Sequence, residues 1–535
     1  MFNIIPKPES CTIRNSKKVL KGEIDCFVNA ELKNSFNFFK NYFEAKSTLK
    51  FNECEDKTIA QIIFDIDAAL ANEEYVLDVN EKIIITASTE IGAFYAVQSL
   101  RQLAEIDLKD NANELEVMSA EIKDKPRFEW RGFMLDEARH FFGMDFVKSI
   151  LDMMALLKMN IFHWHLTDDQ GWRIEIKKYP LLATKGSVRS STALSLKGYE
   201  QYKEPREMKP YGEGCYYTQE QIKEIVKYAA DLHINVVPEI DMPGHLVSAI
   251  ACYPELSCSS EVTEVGNRWG VMENIACCGK ENVYTLAKDI IDELTNLFPF
   301  PYFHIGGDEV PKKNWKKCPN CQKKMKELGL ETENELQGYF NNQILMHLNS
   351  KGRHMIGWNE ILEATKLSDD TIVQWWTNGK KANENEKKWI KKGNKVILSK
   401  VEYVYMDHFY DTKPLSKTYA FDLESLNISP EFEKNVLGLE APQWTEYVRD
   451  KAKFDLNTFP RLQAIAEAEW TKKSKKDYQD FLNRLEYHEK YMDKLGIGHA
   501  KRSVYEPKGL TKMIRVMQHH KNWVNNPNIE LNYNK

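Results

Sequence analysis

The sequence predicts an α/β protein: a (β/α)8 TIM barrel preceded by a small α+β domain. Two observations carry the prediction. From Trp130 onward, apolar runs of strand length alternate with runs of helical period, and eight strand candidates follow one another, most with a helix behind them. Before that point short β-type and helical runs mix without this regular alternation. The 535 residues accordingly divide into an N-terminal α+β domain over 1–125, a barrel domain over 126–500 and a C-terminal tail over 501–535.

In the first domain, Lys82 to Ala87 reads as a strand. A helix from Ile91 to Leu103 follows, its Ile91, Phe94, Tyr95, Val97, Gln98 and Leu103 giving only a partly apolar face. The barrel opens with Gly132–Leu135 and a helix in which Phe146, Ile150, Met153 and Leu157 keep helical spacing. Ile161–Leu166 is the second strand. A helix opening on Thr218 and Gln221, a capping-box pair, then buries Ile222, Ile225, Val226 and Ala229. Ile234–Ile240 is the third strand, with a helix through Leu286, Ile290, Ile291 and Leu294 behind it. Tyr302–Ile305 is the fourth. His354–Trp358, Thr371–Trp376, Lys395–Ser399 and Val436–Leu439 complete the set. A further helical stretch turns Tyr478, Phe481, Leu482, Leu485 and Tyr491 to one side. No internal repeat or low-complexity region stands out.

Composition narrows the classes. Hydrophobic residues make up 42% and charged residues 28%, a globular balance, and a net charge of -6 without a basic arm argues against a nucleic-acid partner. No segment approaches the roughly 20 uninterrupted apolar residues of a spanning helix. The N-terminus lacks a basic stretch followed by an apolar one. The chain as given therefore reads as cytoplasmic, or as extracellular or periplasmic if an export signal was removed. Among ten cysteines, Cys318-Pro319-Asn320-Cys321 has redox or zinc-knuckle spacing, but no second Cys pair or nearby His pair completes a four-ligand site. A thiol pair at a helix start is the expectation there. Cys252, Cys258, Cys277 and Cys278 share one segment and could form a loop disulfide in an oxidising compartment.

The chemistry gathers at the predicted strand ends, where a barrel of this type places its functional groups. His304-Ile305-Gly306-Gly307-Asp308-Glu309-Val310 is the most informative stretch. Two glycines free the backbone to approach a ligand, and two adjacent carboxylates then face different sides. Handling a proton at a leaving group while orienting a second group nearby needs such a pair. Other ends carry Asp136 to His140, His165 to Arg173, Glu239 to His245, Trp358-Asn359-Glu360, Gln374-Trp375-Trp376, Tyr405-Met406-Asp407 and Gln443 to Glu446.

These residues form an ordered series: Arg131-Gly132, Leu135-Asp136 and Arg139-His140-Phe141; Phe162 through Asp169; Pro243-Gly244-His245; and Gly306-Gly307-Asp308-Glu309. Tyr405-Met406-Asp407, Trp444-Thr445-Glu446, and Pro460-Arg461 leading to Ala468-Glu469-Trp470 extend it. With them the chain resembles the β-N-acetylhexosaminidases of glycoside hydrolase family 20 across essentially residues 1–470. The small N-terminal domain is typical of that family.

The resemblance implies an exo-acting, retaining enzyme that removes terminal non-reducing β-linked N-acetylglucosamine, and N-acetylgalactosamine as well. In it the substrate's own acetamido oxygen attacks to give an oxazolinium-type intermediate; the family is an exception to the two-carboxylate rule. It implies Glu309 as acid/base, Asp308 as the partner of the acetamido N–H, and Tyr405 as the hydrogen-bond partner of the acetamido oxygen. Arg139, Asp407 and Glu446 match residues that hold hydroxyls of the terminal sugar. Trp358, Trp376 and Trp444 match an aromatic box around the acetamido methyl and the ring. Asp168 and His245, grouped with the substrate-binding residues, match polar positions that support Asp308 and Glu309. β-N-Acetylhexosaminide glycans or chito-oligosaccharides are the implied partners, with no nucleic acid, membrane, metal or organic cofactor, and a homodimer is one assembly compatible with the pattern.

Other polar residues have plainer expectations. Trp375 reads as core. His163 and His165 fall on one face of a strand with no carboxylate at ligand distance and read as structural groups beneath the site. Asp136 and Glu137 read as interior hydrogen-bonding groups, and Asp169 as a loop anchor. Two positions depart from the family pattern: Met406 stands where leucine is usual, and Thr445 where glycine is frequent, which reshapes the wall near Glu446. The long loops Leu181–Tyr216 and Leu246–Glu281 leave leaving-group preference open. A disaccharide-releasing family 20 glycosidase and a non-catalytic carbohydrate-binding protein are the alternatives. Asp308, Glu309 and Tyr405 argue against the binder, and Arg139, Asp407 and Glu446 argue for a pocket closed around one sugar.

Overall fold

Residues 3–194, 206–364, 367–377, 379–509 and 513 are described by a computed structural model. It divides into one unit of Met1–Arg131, Met153–Met159 and Phe459–His499, and a second of Gly132–Asp152, Asn160–Thr458 and Ala500–Lys535.

The first unit holds a seven-stranded mixed sheet in the order Ser10–Lys21, Glu114–Asp124, Tyr75–Val79, Ile83–Ala87, Ile62–Ile66, Glu23–Val28, Lys50–Cys54. Ile83, Ile85 and Ala87 are buried while Ile84 and Thr86 are half-buried, the period-two burial of a strand. The helix Glu90–Leu103 starts where Thr89 caps it by accepting from the Gly92 N–H. Its burial exceeds the partly apolar face read from the sequence, for every residue from Gly92 to Leu103 is buried. The polar members are tolerated because they are bonded: Arg101 donates to Gln98 Oε1 at 2.7 Å and pairs with Asp107 at 3.3 Å, and Gln102 donates to the Ile5 carbonyl at 3.1 Å. The helix Tyr478–Leu495 buries Phe481, Leu482, Leu485 and Tyr491 as expected, whereas Tyr478 is only half-buried. Arg484 joins the buried face, its guanidinium 2.6 Å from Glu467.

The second unit is built on a closed barrel of eight parallel strands: Trp130–Asp136, Ile161–Asp168, Asn235–Ile240, Tyr302–His304, His354–Trp358, Ile372–Trp375, Val396–Leu398 and Val436–Gln443. Closure follows from the first strand pairing with the second, Gly132 opposite Ile161, and also lying beside the eighth. The helix Gln219–Asp231 carries the expected capping box, Thr218 and Gln221 satisfying each other's backbone N–H. The eighth strand runs on to Gln443, beyond the Leu439 at which the apolar pattern stops. Its extension is polar because Glu440 faces the barrel interior, where His163 and Gln374 each approach its Oε1 at 2.6 Å. Of the two long loops, Leu246–Glu281 is described throughout, whereas part of Leu181–Tyr216 lies outside the described residues.

Candidate active site

The floor of the site is charged where such barrels usually stack branched aliphatics. Glu239, fully buried near the end of the third strand, accepts the Trp358 indole N–H at 2.8 Å and lies 3.2 Å from His163 Nε2 and 2.9 Å from His304 Nδ1. His165 Nδ1 reaches the same carboxylate. Burial alone would raise Glu239, but His165, His304 and His163 outweigh it and hold the carboxyl well below its usual range. His163 and His165 lie beneath the site, and both have carboxylate partners, contrary to the expectation that none lay within reach. The neighbouring third strand supplies Glu239, and the eighth strand, brought near by closure of the barrel, supplies Glu440, which spacing along one strand cannot show.

Above this floor the chain turns sharply. Gly306 and Gly307 take φ of +65° and +89°, and Glu309 takes +46°. A side chain at Gly306 has no room, since an added Cβ would lie 1.9 Å from Asp241 Oδ1. The same carboxylate accepts the Gly307 N–H at 3.0 Å, and the Gly307 carbonyl accepts from Gln337 at 2.8 Å. The turn presents the two acids differently. Asp308 is buried with Oδ1 lacking a hydrogen-bond partner, while the Glu309 side chain is 40% exposed. Burial, reinforced by Glu309 and opposed by His245, pushes Asp308 up to about 6.

His245, at φ +46°, faces Asp168 Oδ1 and Asp169 Oδ2 through Nδ1, each at 3.2 Å, and Glu309 and Asp308 through Nε2 at 3.6 and 4.0 Å. Burial disfavours its imidazolium, but Asp168, Asp169 and Glu309 overcome this and raise it well above the usual histidine range. Asp168 is itself engaged by Arg139 at 2.6 Å and His165 Nε2 at 2.9 Å. It therefore stands behind Arg139 and His245. Asp169 anchors its loop by accepting the Val247 N–H at 3.0 Å.

Four aromatics from successive strand ends meet in a chain of ring contacts. Trp376 stacks on Tyr405 with centroids 6.0 Å apart, Tyr405 lies 6.4 Å from Trp444, and Trp444 lies 5.9 Å from Trp358. Trp375 is core, as expected. Arg139 lies 5.1 Å from the Trp444 ring centroid, held by Asp136 at 3.2 Å and Gln170 at 2.9 Å. Asp407 carries a buried Oδ1 without a hydrogen-bond partner. Glu446 is half-buried; burial, opposed by Arg139 but helped by Asp136 and Asp407, pushes it to about 7. Thr445 donates its N–H and hydroxyl to Asp136 at 3.0 and 3.1 Å, tying the wall next to Glu446 to the first strand. Glu137 accepts from Trp164 and Tyr217, as an interior group should.

Two contributors had no assigned role in the sequence. Asp241 braces the Gly306 turn. Glu360 accepts the Trp376 indole N–H at 2.8 Å, and burial with the nearby Asp308 charge pushes it to about 8. Both sit at strand ends already noted for polarity, which was the only signal available.

The model of the glycosyl hydrolase family 20 catalytic domain matches residues 128–473, and that of family 20 domain 2 matches residues 1–125. The chain belongs to glycosyl hydrolase family 20. A β-hexosaminidase of Porphyromonas gingivalis is 37% identical over 91% of the chain, which spans 62% of that relative's length. A β-N-acetylhexosaminidase of Cellulomonas fimi is 31% identical, with 84% of each sequence covered. Among solved structures, a Vibrio harveyi family 20 exo-β-N-acetylglucosaminidase in complex with N-acetylglucosamine is 30% identical. It superposes with a TM-score of 0.82 over 94% of this chain and 78% of its own. A Streptomyces plicatus N-acetyl-β-hexosaminidase complexed with Thio-NAglucal gives 0.81 at 30% identity, covering 95% and 98%.

The cysteine reading needs correction. All ten cysteines are free. Cys258 and Cys277, remote in sequence from Cys318 and Cys321, join them in one cluster of four thiols, a second pair that the Cys318–Cys321 spacing alone does not show.

Proposed function

We propose that this family 20 chain is an exo-acting, retaining β-N-acetylhexosaminidase. It acts on terminal non-reducing β-linked N-acetylglucosamine and N-acetylgalactosamine in glycans or chito-oligosaccharides, by substrate-assisted catalysis. The observation that carries the reading is the pairing of a buried, unsatisfied Asp308 oxygen with an accessible Glu309 beside it. A buried acceptor without a donor is costly unless a ligand supplies one. An acetamido N–H is such a donor.

In this mechanism Asp308 accepts the acetamido N–H and turns the acetamido oxygen toward the anomeric carbon, with Tyr405 donating to that oxygen. Glu309 protonates the glycosidic oxygen as the bond to the leaving group breaks and the cyclic oxazolinium forms. Water then enters where the leaving group was, Glu309 takes its proton, and two inversions give net retention. The Trp358, Trp376 and Trp444 rings cover the methyl and the sugar face, while Arg139, Asp407 and Glu446 hold hydroxyls. The relatives named above, including the Vibrio harveyi enzyme in complex with N-acetylglucosamine, support the substrate class.

Turnover of matched nitrophenyl β-glycosides with and without the acetamido group tests the proposal. The acetamido substrates should be turned over efficiently, the plain glucoside very poorly, and a thiazoline mimic should bind far more tightly than the product sugar. A sugar trapped covalently on Asp308 or Glu309 during turnover of an acetamido substrate would refute it.

A further inference from the structure

The thiols of Cys258, Cys277, Cys318 and Cys321 lie within 4.8 Å of one another and include neither of the two acids. Cys277 Sγ is 3.6 Å from Cys318 Sγ and 3.5 Å from Cys321 Sγ, and Cys258 Sγ is 3.9 Å from Cys321 Sγ. A disulfide needs about 2.05 Å between sulfurs. Four sulfurs about 2.3 Å from one tetrahedral ion are about 3.8 Å apart. The separations match the second figure. Three of the thiols are buried and Cys258 is half-buried, so a path for an ion exists at one vertex.

The backbone around the cluster is shaped for the same purpose. Cys318 precedes the helix Pro319–Leu328 and Cys321 sits in its first turn, with Pro319 opening it. The turn Cys277-Cys278-Gly279 packs against this one so closely that a Cβ at Gly279 would lie 2.3 Å from the Cys321 nitrogen. Ser257 and Ala276 form an antiparallel bridge that brings Cys258 beside Cys277. Lys280 donates to the Ser257 carbonyl at 2.6 Å and to Ser260 at 2.8 Å, tying the residues next to Cys258 to the turn that follows Cys277.

We propose that Cys258, Cys277, Cys318 and Cys321 bind one structural Zn²⁺ as a closed tetrathiolate. Soft thiolates in a tetrahedron suit zinc, and four protein ligands leave no open position for substrate or water. Binding replaces the thiol protons, which leave to solvent. The ion joins two loops that the site depends on. Cys258 and Cys277 lie in the loop after the third strand, whose Ala276 N–H donates to the Pro243 carbonyl at 3.0 Å, two residues before His245. Cys318 and Cys321 lie beyond the fourth strand, after the Asp308-Glu309 turn, and Trp315 of that segment donates to the Ala276 carbonyl at 2.9 Å. The zinc therefore positions His245 and Glu309 relative to each other.

Metal analysis of the full chain, purified without chelator or added metal, decides the matter. One zinc per chain should survive gel filtration and be released in step with mercurial titration of four thiols, and the cobalt-substituted chain should show tetrahedral thiolate-to-cobalt absorption. Cys258→Ser should lower zinc occupancy at least tenfold and lower the melting temperature, while Cys278→Ser, a buried cysteine outside the set, should keep the metal. A chain without zinc, with iron in its place, or with any two of the four cysteines in a disulfide overturns the proposal. These readouts involve no turnover, and wild-type metal content remains decisive even if Cys258→Ser does not fold.

Discussion

Asp308 and Glu309 are neighbours with opposite environments, and their difference sets the expected behaviour of the site. Glu309 must donate and then accept a proton, so Glu309→Gln should cut turnover of natural glycosides by about 10²–10⁴-fold. Substrates with very acidic leaving groups should lose far less in the first step. Equal losses across a leaving-group series would contradict the assignment. Asp308 must be ionised to accept an N–H. With its carboxyl pushed up to about 6, kcat/KM of the wild type should fall as pH drops through about 6. The same shift has a stability consequence. The folded state holds the Asp308 proton more tightly than the unfolded state, so stability is greatest below the unfolded pKa of about 3.9 and declines as pH rises to about 6. Asp308→Asn should therefore stabilise the chain at pH 7 by about 1–3 kcal/mol, with the gain vanishing near pH 4. Denaturant melts at the two pH values check this, and an equal gain at both would rule out ionisation as its source.

At the scale of elements, the turn after the fourth strand is the most demanding local structure in the site. Its left-handed φ at Gly306 and the contact with Asp241 exclude any side chain. Gly306→Ala should lower stability by about 1–3 kcal/mol and activity by more than tenfold. The paired readouts are the melting temperature and kcat/KM, and a fully active Gly306→Ala chain would show that the turn tolerates rearrangement. The glycines and acids of this turn were legible in the sequence because they sit next to each other, just after a short apolar strand. Apolar runs likewise revealed all eight barrel strands. Elements whose partners are remote were less legible. The end of the eighth strand looked like loop because Glu440 is polar, and only the barrel's closure brings it to His163 and Gln374. The full burial of Glu90–Leu103 was hidden by Gln98, Arg101 and Gln102, whose partners are decided by folding. Cys258 and Cys277 were separated from Cys318 and Cys321 by two helices and a strand, so spacing rules saw only half of the set.

At the scale of the whole molecule, the barrel is held from within by charges, which makes its stability a function of pH in a direction that can be worked out. Glu239 is depressed well below the usual carboxylate range by His165, His304 and His163 despite its burial. A depressed acid contributes stability above its unfolded pKa of about 4.3, and that contribution is lost as pH falls toward the folded value. His163 moves the other way: burial lowers it, but Glu440 and Glu239 prevail and raise it to about 9. A raised base contributes stability that is complete below the unfolded pKa of about 6.5 and lost as pH rises through about 9. The barrel should thus be most stable between about pH 5 and 7, weakening on both sides. His163→Gln removes the alkaline component while keeping a neutral donor near Glu440. It should cost about 2–4 kcal/mol at pH 6, since it leaves buried carboxylate without its cation, and the cost should shrink at pH 10, where the wild-type imidazole is neutral as well. Denaturant-induced unfolding of both chains at the two pH values measures this. A cost that does not change with pH would mean that His163 acts by packing alone, and that the interior charges do not hold the barrel together.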